Sequence, residues 1–487
     1  MRRSRIGRVE MLHGARIVWG SAVAAGLAAC MTMPLAVAPA RADTLESALV
    51  QAYQNNPSLN SQRAATRAID EGVPQALSGY RPKITVTGVA GEQTSSTTSR
   101  TPPIAPGFPA TYSTLAGYNS PAQIGGTITQ TLYNGFQTAN KTRQAESSVL
   151  AARATLRVTE QTVLLSAATA YMNLLRDSAI LDLQRRNVEV LQEQLRQTRD
   201  RFNVGEVTRT DVAQAESSLA AGRSQVLLAE ANYTASAATY RQVIGVAPGK
   251  LSAASPVDRF SPHNLPGAIA TGTAQNPSIT TAEYNVDVAL QGVKVAEGAL
   301  YPTVSVQGSF TQNYLSTSSL SIMNTYNASV LGTLSVPIYQ GGAEYSMIRQ
   351  AKETLGQKRL DLDTARDTVR QAVVQAWGQL DAAKANIDAT QAQVQAAEIA
   401  LNGIREEARV GQRTTFDVLT AQQTLVNARV ALVTAQHDRV VASYTLLSAV
   451  GGLSPQVLGL RVPTYDPIVH YHQVRDSWAG VRTPDGR

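Results

Sequence analysis

Residues 409–422 read "RVGQRTTFDVLTAQ", and residues 203–216 read "NVGEVTRTDVAQAE". The two stretches stand 206 positions apart and share a Val-Gly pair, a Thr and an Asp-Val pair. In each, a Gly closes a long segment and a lone acid falls just inside the start of the next. Gly accepts the left-handed backbone that ends helices. A carboxylate near a helix N-terminus is favoured by the dipole by about 0.3–1 kcal/mol. The stretch therefore reads as a turn between two helices, with Thr210 beside Asp211 and Thr415 just ahead of Phe416–Asp417. Its repetition predicts two helical hairpins.

The segments before the turns set the scale. Residues 137–204 contain neither Gly nor Pro, and a helix of that span is about 100 Å long. Val149, Leu156, Val163 and Ala170 stand seven apart, as do Leu174, Leu181, Val188 and Leu195, but the second run starts four residues after Ala170. This is a heptad register with one stutter, which relaxes a left-handed supercoil. At offset 206 the second half repeats it with Leu355, Leu362, Val369, Ala376, Leu380, Ile387, Val394 and Leu401. So long a helix overruns any single globular core and needs partners alongside. Return helices are expected over about 206–244 and about 412–450.

The repeat extends beyond the hairpins. "NNPSL", 55–59, answers "QNPSI", 275–279, and "YRPKITVTG", 80–88, answers "LYPTVSVQG", 300–308, both at offset 220. "LYNG", 132–135, and "RQAE", 143–146, answer "IYQG", 338–341, and "RQAK", 349–352, at 206. The first half therefore carries 14 extra residues between Gly88 and Leu132. "TSRTPPIAPGFPATYS", 98–113, is rich in Pro and Thr and reads as an exposed loop holding them.

Alternating segments precede each hairpin. Val304, Val306, Phe310 and Tyr314 share one face, while Ser305, Gln307, Ser309, Thr311 and Asn313 share the other. Tyr326, Ala328, Val330, Leu334, Val336 and Ile338 share a face in the next segment, and the first half offers "KITVTGVA" and "QIGGTITQTLY". Strands of about ten residues with one apolar and one polar face suit a membrane barrel wall, although a soluble hairpin on a core gives the same alternation. Nothing after residue 42 is apolar enough for a transmembrane helix. Four strands cannot close in lipid without unsatisfied edges. Three copies supply twelve strands and bring the hairpins side by side into a tube.

The N-terminus reads as an export signal: a basic start, an apolar run, then "ARA" at 40–42, with cleavage after Ala42. "LAAC", 27–30, offers a second reading, a lipidated Cys30, and a retained membrane anchor is a third. Cys30 is the only cysteine, so a chain starting at Asp43 has no disulfide. The net charge of +7 belongs mostly to the signal: without its six Arg and one Glu, 37 basic face 35 acidic residues. A balance near +2 gives no electrostatic footprint for nucleic acid.

"TLESALVQAYQNNPSL", "LYNGF", "RFNVGEVTRTDVAQAESS", "PIYQGG" and "VGQRTTFDVLTAQQTLVNAR" resemble the TolC family of outer-membrane efflux and secretion ducts over residues 44–453. The resemblance implies a mainly α fold with a membrane β part: a trimeric α-barrel of long coiled helices plus a composite twelve-stranded β-barrel, four strands per chain. It implies a homotrimer in the outer membrane with a large periplasmic part. Its partners would be a periplasmic adaptor and an inner-membrane pump of the RND or ABC type, with lipid around the barrel. It also places a gate at the turns. By motif, Asp211 and Arg413 match an acid and an Arg of the family's polar closing network, and Asp417 matches the first of two constriction acids. The second falls on Thr420 and a gate tyrosine on Ala408, so this chain departs from the pattern there.

The division expected is 1–42 signal, 43–245 first repeat, 246–275 equatorial linker, 276–453 second repeat and 454–487 tail. No enzyme signature is present. "HYH", 470–472, has no third metal ligand near it in sequence, and no cofactor is implied. Two functions remain open: an exit duct for efflux or type I secretion, and a non-transporting coiled-coil scaffold of the envelope.

Overall fold

The computed structural model describes residues 43–317, 322–484 and 486. The signal and Cys30 lie outside the described residues. Three short helices, α1 (Leu45–Asn55), α2 (Pro57–Asp70) and α3 (Gly72–Leu77), lead into strands β1 (Lys83–Ala90), β2 (Gln93–Thr101) and β3 (Thr111–Asn134). The first hairpin follows, α4 (Gln137–Asn203) and α5 (Arg209–Ile244). The second half runs α6 (Leu265–Gln275), α7 (Pro277–Glu297), β4 (Thr303–Thr317), β5 (Ile322–Ser335), α8 (Ala343–Arg409) and α9 (Thr415–Ala449). A last helix, α10 (Pro467–Val474), lies in the tail.

The two sequence offsets are structural. Helices α4 and α8 are each 67 residues, begin 206 apart and end 206 apart. Helix α6 stands 220 after α1, inside the segment read as a linker, and α7 covers the counterparts of α2 and α3. The heptad residues form the buried stripe predicted for them: Val149, Leu156, Val163, Ala170, Leu174, Leu181 and Leu195 in α4, with Val188 partly buried. In α8 the stripe is Leu355, Val369, Ala376, Leu380 and Leu401, flanked by partly buried Leu362, Ile387 and Val394.

The repeated Asn-Pro has a job in both halves. Asn56 caps α2, its Oδ1 accepting from the N–H groups of Ser58 and Leu59, with Pro57 at the first helical position. Its Nδ2 donates to the Val243 carbonyl at 2.9 Å. Asn276 caps α7 in the same way, and its Nδ2 donates to the Ala449 carbonyl at 2.9 Å. Each side chain thus fixes the start of a repeat to the end of its own returning helix. Around these clamps lies the main core, where Leu49, Leu59, Leu164, Tyr171, Tyr240 and Leu453 are essentially inaccessible.

The sheet runs β1-β3-β4-β5, all antiparallel, with β2 continuing the β1 row along β3. The register does not slip between β1 and β2: Ala90 faces Ala122 and Gln93 faces Asn119. The row is interrupted only opposite Pro121, which has no N–H to give. The chain therefore contributes four rows. Opposed residues share a face, so Ile84, Ile128 and Val330 line up, as do Val86, Phe310 and Ala328, all on the apolar side. Thr85, Thr127, Ser309 and Ser329 line up on the other, joined by hydroxyl pairs at 2.5 and 2.8 Å.

The structure corrects two expectations. The segment 98–113 is only partly a loop: residues 93–101 and 111–119 pair as a two-stranded ribbon, and the loop shrinks to 102–110. The ribbon projects past the last β3–β4 pair, Asn119 with Thr317, and accounts for the 14 extra residues. Strand β5 also stops at Ser335, so Val336 and Ile338 lie beyond it, next to Pro337. The tail, without period in sequence, packs α10 along α2. There His470 Nδ1 lies 3.0 Å from Asp70 Oδ2, and burial raises the Asp70 carboxyl above its ordinary pKa. The Arg63 guanidinium stacks at 4.5 Å on Tyr53 and 5.4 Å on Tyr465.

Candidate functional site

The hairpin turns lie at the ends of the long helices remote from the sheet. Each is built the same way. Gly205 and Gly411 both take φ of 81°, and each long helix ends with the next N–H groups folding back onto its last carbonyls. The return helices are capped by Thr208 and Thr414, not by the neighbouring Thr210 and Thr415. Both form complete capping boxes with the lone acid three residues on. Asp211 Oδ2 accepts from Thr208 N–H at 2.9 Å and its hydroxyl at 2.7 Å. Asp417 Oδ2 accepts from Thr414 at 3.0 and 2.9 Å. Thr-x-x-Asp is the sequence signal that gives these caps.

The local chemistry of Asp417 follows. The Thr414 N–H and hydroxyl hold its carboxyl below the ordinary range, with the Arg413 charge adding a smaller pull. Arg413 is ion-paired to Glu407, Nε to Oε2 at 2.8 Å, which raises its pKa further. Arg413, Phe416, Asp417 and Thr420 line one shallow groove between α8 and α9, floored by Ala397 and Ile404. Three of the four sequence-expected gate residues therefore come together. Asp211 belongs to the other hairpin; it is bonded to Thr208 while Arg413 is bonded to Glu407, so within one chain the two are not paired.

A polar chain that the sequence did not suggest lies deeper. Arg405 Nη2 donates to Gln422 Oε1 at 3.1 Å, and Gln422 Nε2 donates to Asn187 Oδ1 at 3.3 Å. This joins the second hairpin to α4 beside a small apolar cluster of Leu191, Leu195, Ala215, Leu219 and Leu419. In the first hairpin the equivalent pair is Arg199 and Glu216, a solvent-exposed salt bridge at 2.5 Å. The only signal for the difference is one change at the repeat position, Glu216 against Gln422. Among the described residues no helix is long and apolar enough to cross a membrane, and no group of His, Cys, Asp or Glu is gathered as for a metal.

A sheet with one apolar and one polar face, carried on hairpins about 100 Å long with capped turns at the far end, defines one wall of an outer-membrane channel of the TolC type. The outer membrane efflux protein model matches residues 48–246 and 270–452, the two structural repeats, and the chain belongs to that family. It is 43% identical to the outer membrane efflux protein BepC of Brucella suis biovar 1 (strain 1330), over 92% of this chain and 94% of that one. It is 27% identical to outer membrane protein TolC of Escherichia coli (strain K12), over 86% and 84%. Among solved folds, the Campylobacter jejuni CmeC outer membrane channel superposes with a TM-score of 0.69 at 18% identity, covering 89% of each chain. The relatives place the protein in the outer membrane with a large periplasmic portion, as an exit duct for efflux or secretion, and leave no ground for a non-transporting scaffold.

Proposed function

We propose that three copies close into one duct, with a twelve-stranded barrel in the outer membrane and the hairpins forming a periplasmic tube gated at the turns. The carrying observation is the sheet. Its outer rows, β1 and β5, each have an unpaired edge, and they run antiparallel to each other. Identical copies side by side therefore continue the antiparallel pattern until the ring closes, which removes edges that lipid cannot satisfy. Native mass spectrometry of detergent-extracted protein tests this. A trimer is expected, and a stable monomer or dimer overturns it.

The tube carries substrate and performs no reaction of its own. Energy enters at the inner membrane, from an RND or ABC pump reached through a periplasmic adaptor that meets the hairpin tips. At the mouth, Asp417 forms a threefold acidic ring. Arg413 supplies the closing link to Asp211 of another hairpin, and Thr420 stands where a second acid would have doubled the ring's charge. A ring of carboxylates favours cations in a narrow pore. Single-channel recording of Asp417→Ala is expected to lose cation preference; unchanged ion selectivity overturns this role for Asp417.

A further inference from the structure

The tail after α9 is tied to the first repeat at a series of points that climb toward the sheet. Leu458, Leu460 and Val462 pack on the main core. The Tyr465 N–H donates to the Tyr53 hydroxyl at 3.2 Å, and Arg63 stacks on both rings. Further on, His470 meets Asp70, and the Arg153 guanidinium stands 5.1 Å from the Tyr471 ring. The last tie is at Ser477, whose carbonyl accepts from Arg81 Nη1 at 2.5 Å, while the same guanidinium lies 4.7 Å over the Trp478 ring. As the tail advances from Tyr465 to Trp478, its partners advance from Tyr53 to Arg81. Arg81 stands just before β1, so the strap delivers its end to the foot of the sheet.

The seat belongs to one repeat. At offset 220 the places of Tyr53, Asp70 and Arg81 are held by Thr273, Leu290 and Tyr301: a short side chain, an apolar one and an uncharged ring. Fixing each tail residue costs about 1–2 kcal/mol of backbone entropy. The ties offset that cost, yet the segment they hold in place leaves Trp478 72% exposed and Val481 fully exposed. The strand ends show what lies at that level. Strands β1 and β4 begin here, and β3 and β5 end here. Just outside them stand Tyr80, Tyr301, Phe136 and Tyr339, each more than half exposed, and just inside stand the apolar Ile84 and Leu334. Exposed rings bordering an apolar band mark a membrane–water interface. The long helices leave from the same end, so this border faces the periplasm. Trp478 reaches it from the tail, not from the barrel wall.

We propose that the end of the tail is a membrane-surface anchor, with Trp478 seated in the headgroup layer of the periplasmic leaflet and Arg475 and Arg482 on phospholipid phosphates. The proposal rests on the membrane barrel proposed above and adds a second, peripheral contact with the same leaflet. Two observations favour lipid as the occupant. The Trp478 ring continues the border drawn by Tyr80 and Tyr301, so what meets those rings meets it too. The flanking charge is also suited: Arg475 and Arg482 are exposed on either side of Trp478, against one acid, Asp476. An indole prefers the boundary between headgroups and acyl chains, and guanidinium forks match phosphate oxygens. The ties at Tyr53, Asp70 and Arg81 then join the membrane surface to the core at the middle of the tube.

The test is tryptophan fluorescence of the full chain in vesicles of phosphatidylethanolamine and phosphatidylglycerol. Trp19→Phe and Trp377→Phe leave Trp478 as the last tryptophan. Emission is quenched either by lipid brominated near the top of its acyl chains or by aqueous iodide. Trp478 is expected to lose most of its emission to the brominated lipid and little to iodide. Quenching by iodide alone would place the ring in water, and protection from both quenchers would place it under protein; either result overturns the anchor. Adding Arg475→Gln and Arg482→Gln should weaken the lipid quenching in these vesicles more than in phosphatidylcholine alone. An equal effect in the two, or none, overturns the phosphate contacts. A control on the sheet keeps the barrel separate. With Trp478→Phe added, Val330→Trp on the apolar face should be quenched by the brominated lipid. If that ring is not quenched, the barrel wall itself is overturned; if it is quenched and Trp478 is not, only the anchor falls.

Discussion

The two hairpins share a length, a stutter and a turn, but they are not interchangeable. Helix α4 runs 67 residues without a glycine, while α8 carries Gly356, Gly378 and Gly403 at places where α4 has Leu150, Met172 and Gln197. Each Gly costs a helix about 1 kcal/mol relative to Ala. Both hairpin tips carry exposed salt bridges, but the second adds a partly buried chain through Gln422 that reaches across to Asn187 of α4, where the first has the exposed Arg199–Glu216 pair. Exposed ion pairs contribute about 0–1 kcal/mol. Hydrogen bonds between partly buried amides are costly to break, because a desolvated partner is left unpaired. The comparison separates a hairpin that stands as a scaffold from one whose contacts depend on its neighbours.

The largest effect should come where both hairpins enter the core. Leu446 in α9 and Tyr240 in α5 occupy the same repeat position, and both are fully buried. Leu446 packs with Val373, Ala376 and Leu380, and Leu446→Ala is expected to cost about 2–5 kcal/mol. Tyr240 is held differently. Its hydroxyl is buried without a partner among the described residues, and burial pushes its pKa up to about 12. Tyr240→Phe should therefore be neutral or slightly stabilising. Thermal denaturation of the detergent-extracted protein separates the two. A Tyr240→Phe loss as large as that of Leu446→Ala would mean that the hydroxyl has a partner.

A smaller contrast is expected at the tips. Gln422→Ala removes both links of the amide chain and leaves Asn187, 5% exposed, without its bond, at about 1–3 kcal/mol. Glu216→Ala removes only an exposed ion pair, at about 0–1 kcal/mol. Amide hydrogen exchange in α4 near Asn187 and in α9 near Gln422 reads the difference directly. Equal acceleration by the two substitutions would erase the distinction drawn between the hairpins.

What the sequence made legible was periodic or local. The heptads, their stutter and the offsets placed both long helices to within a few residues, because a buried stripe must recur wherever the helix does. The ribbon of 93–119 was missed because its first strand, 93–101, is nearly all Thr and Ser and has no apolar face to alternate against. Helix α10 was missed because its anchors, Asp70 and Arg153, come from distant parts of the chain. Of the residues proposed for a gate, Arg413, Asp417 and Thr420 were placed together by one helical turn and its cap. The Gln422–Asn187 bond spans 235 positions and leaves no local trace. The caps themselves were visible as Thr-x-x-Asp and needed only the right Thr.

Those caps give the smallest effect, and one that should be equal in the two hairpins. Thr208→Ala and Thr414→Ala each remove the Thr side-chain half of a capping box, worth about 1 kcal/mol, or roughly fivefold faster exchange in the first turn of α5 or α9. Unequal responses would show that one tip is braced by something besides its cap. In the second hairpin the sign of the pH dependence is also set. The Asp417 carboxyl titrates below its ordinary value, near 3.9 for a free Asp. Its contribution is therefore fully present above that ordinary value and is lost as pH falls through the lowered one. Exchange at the start of α9, corrected for intrinsic rates, should be flat from pH 7 to about 5 and accelerate only below about 4. With Thr414→Ala the acid-side acceleration should shrink, because the hydroxyl bond that helps hold the carboxyl low is gone while the backbone N–H bond remains. A cap that weakened already between pH 7 and 5 would instead assign the titration to a neighbour and remove Asp417 as its cause.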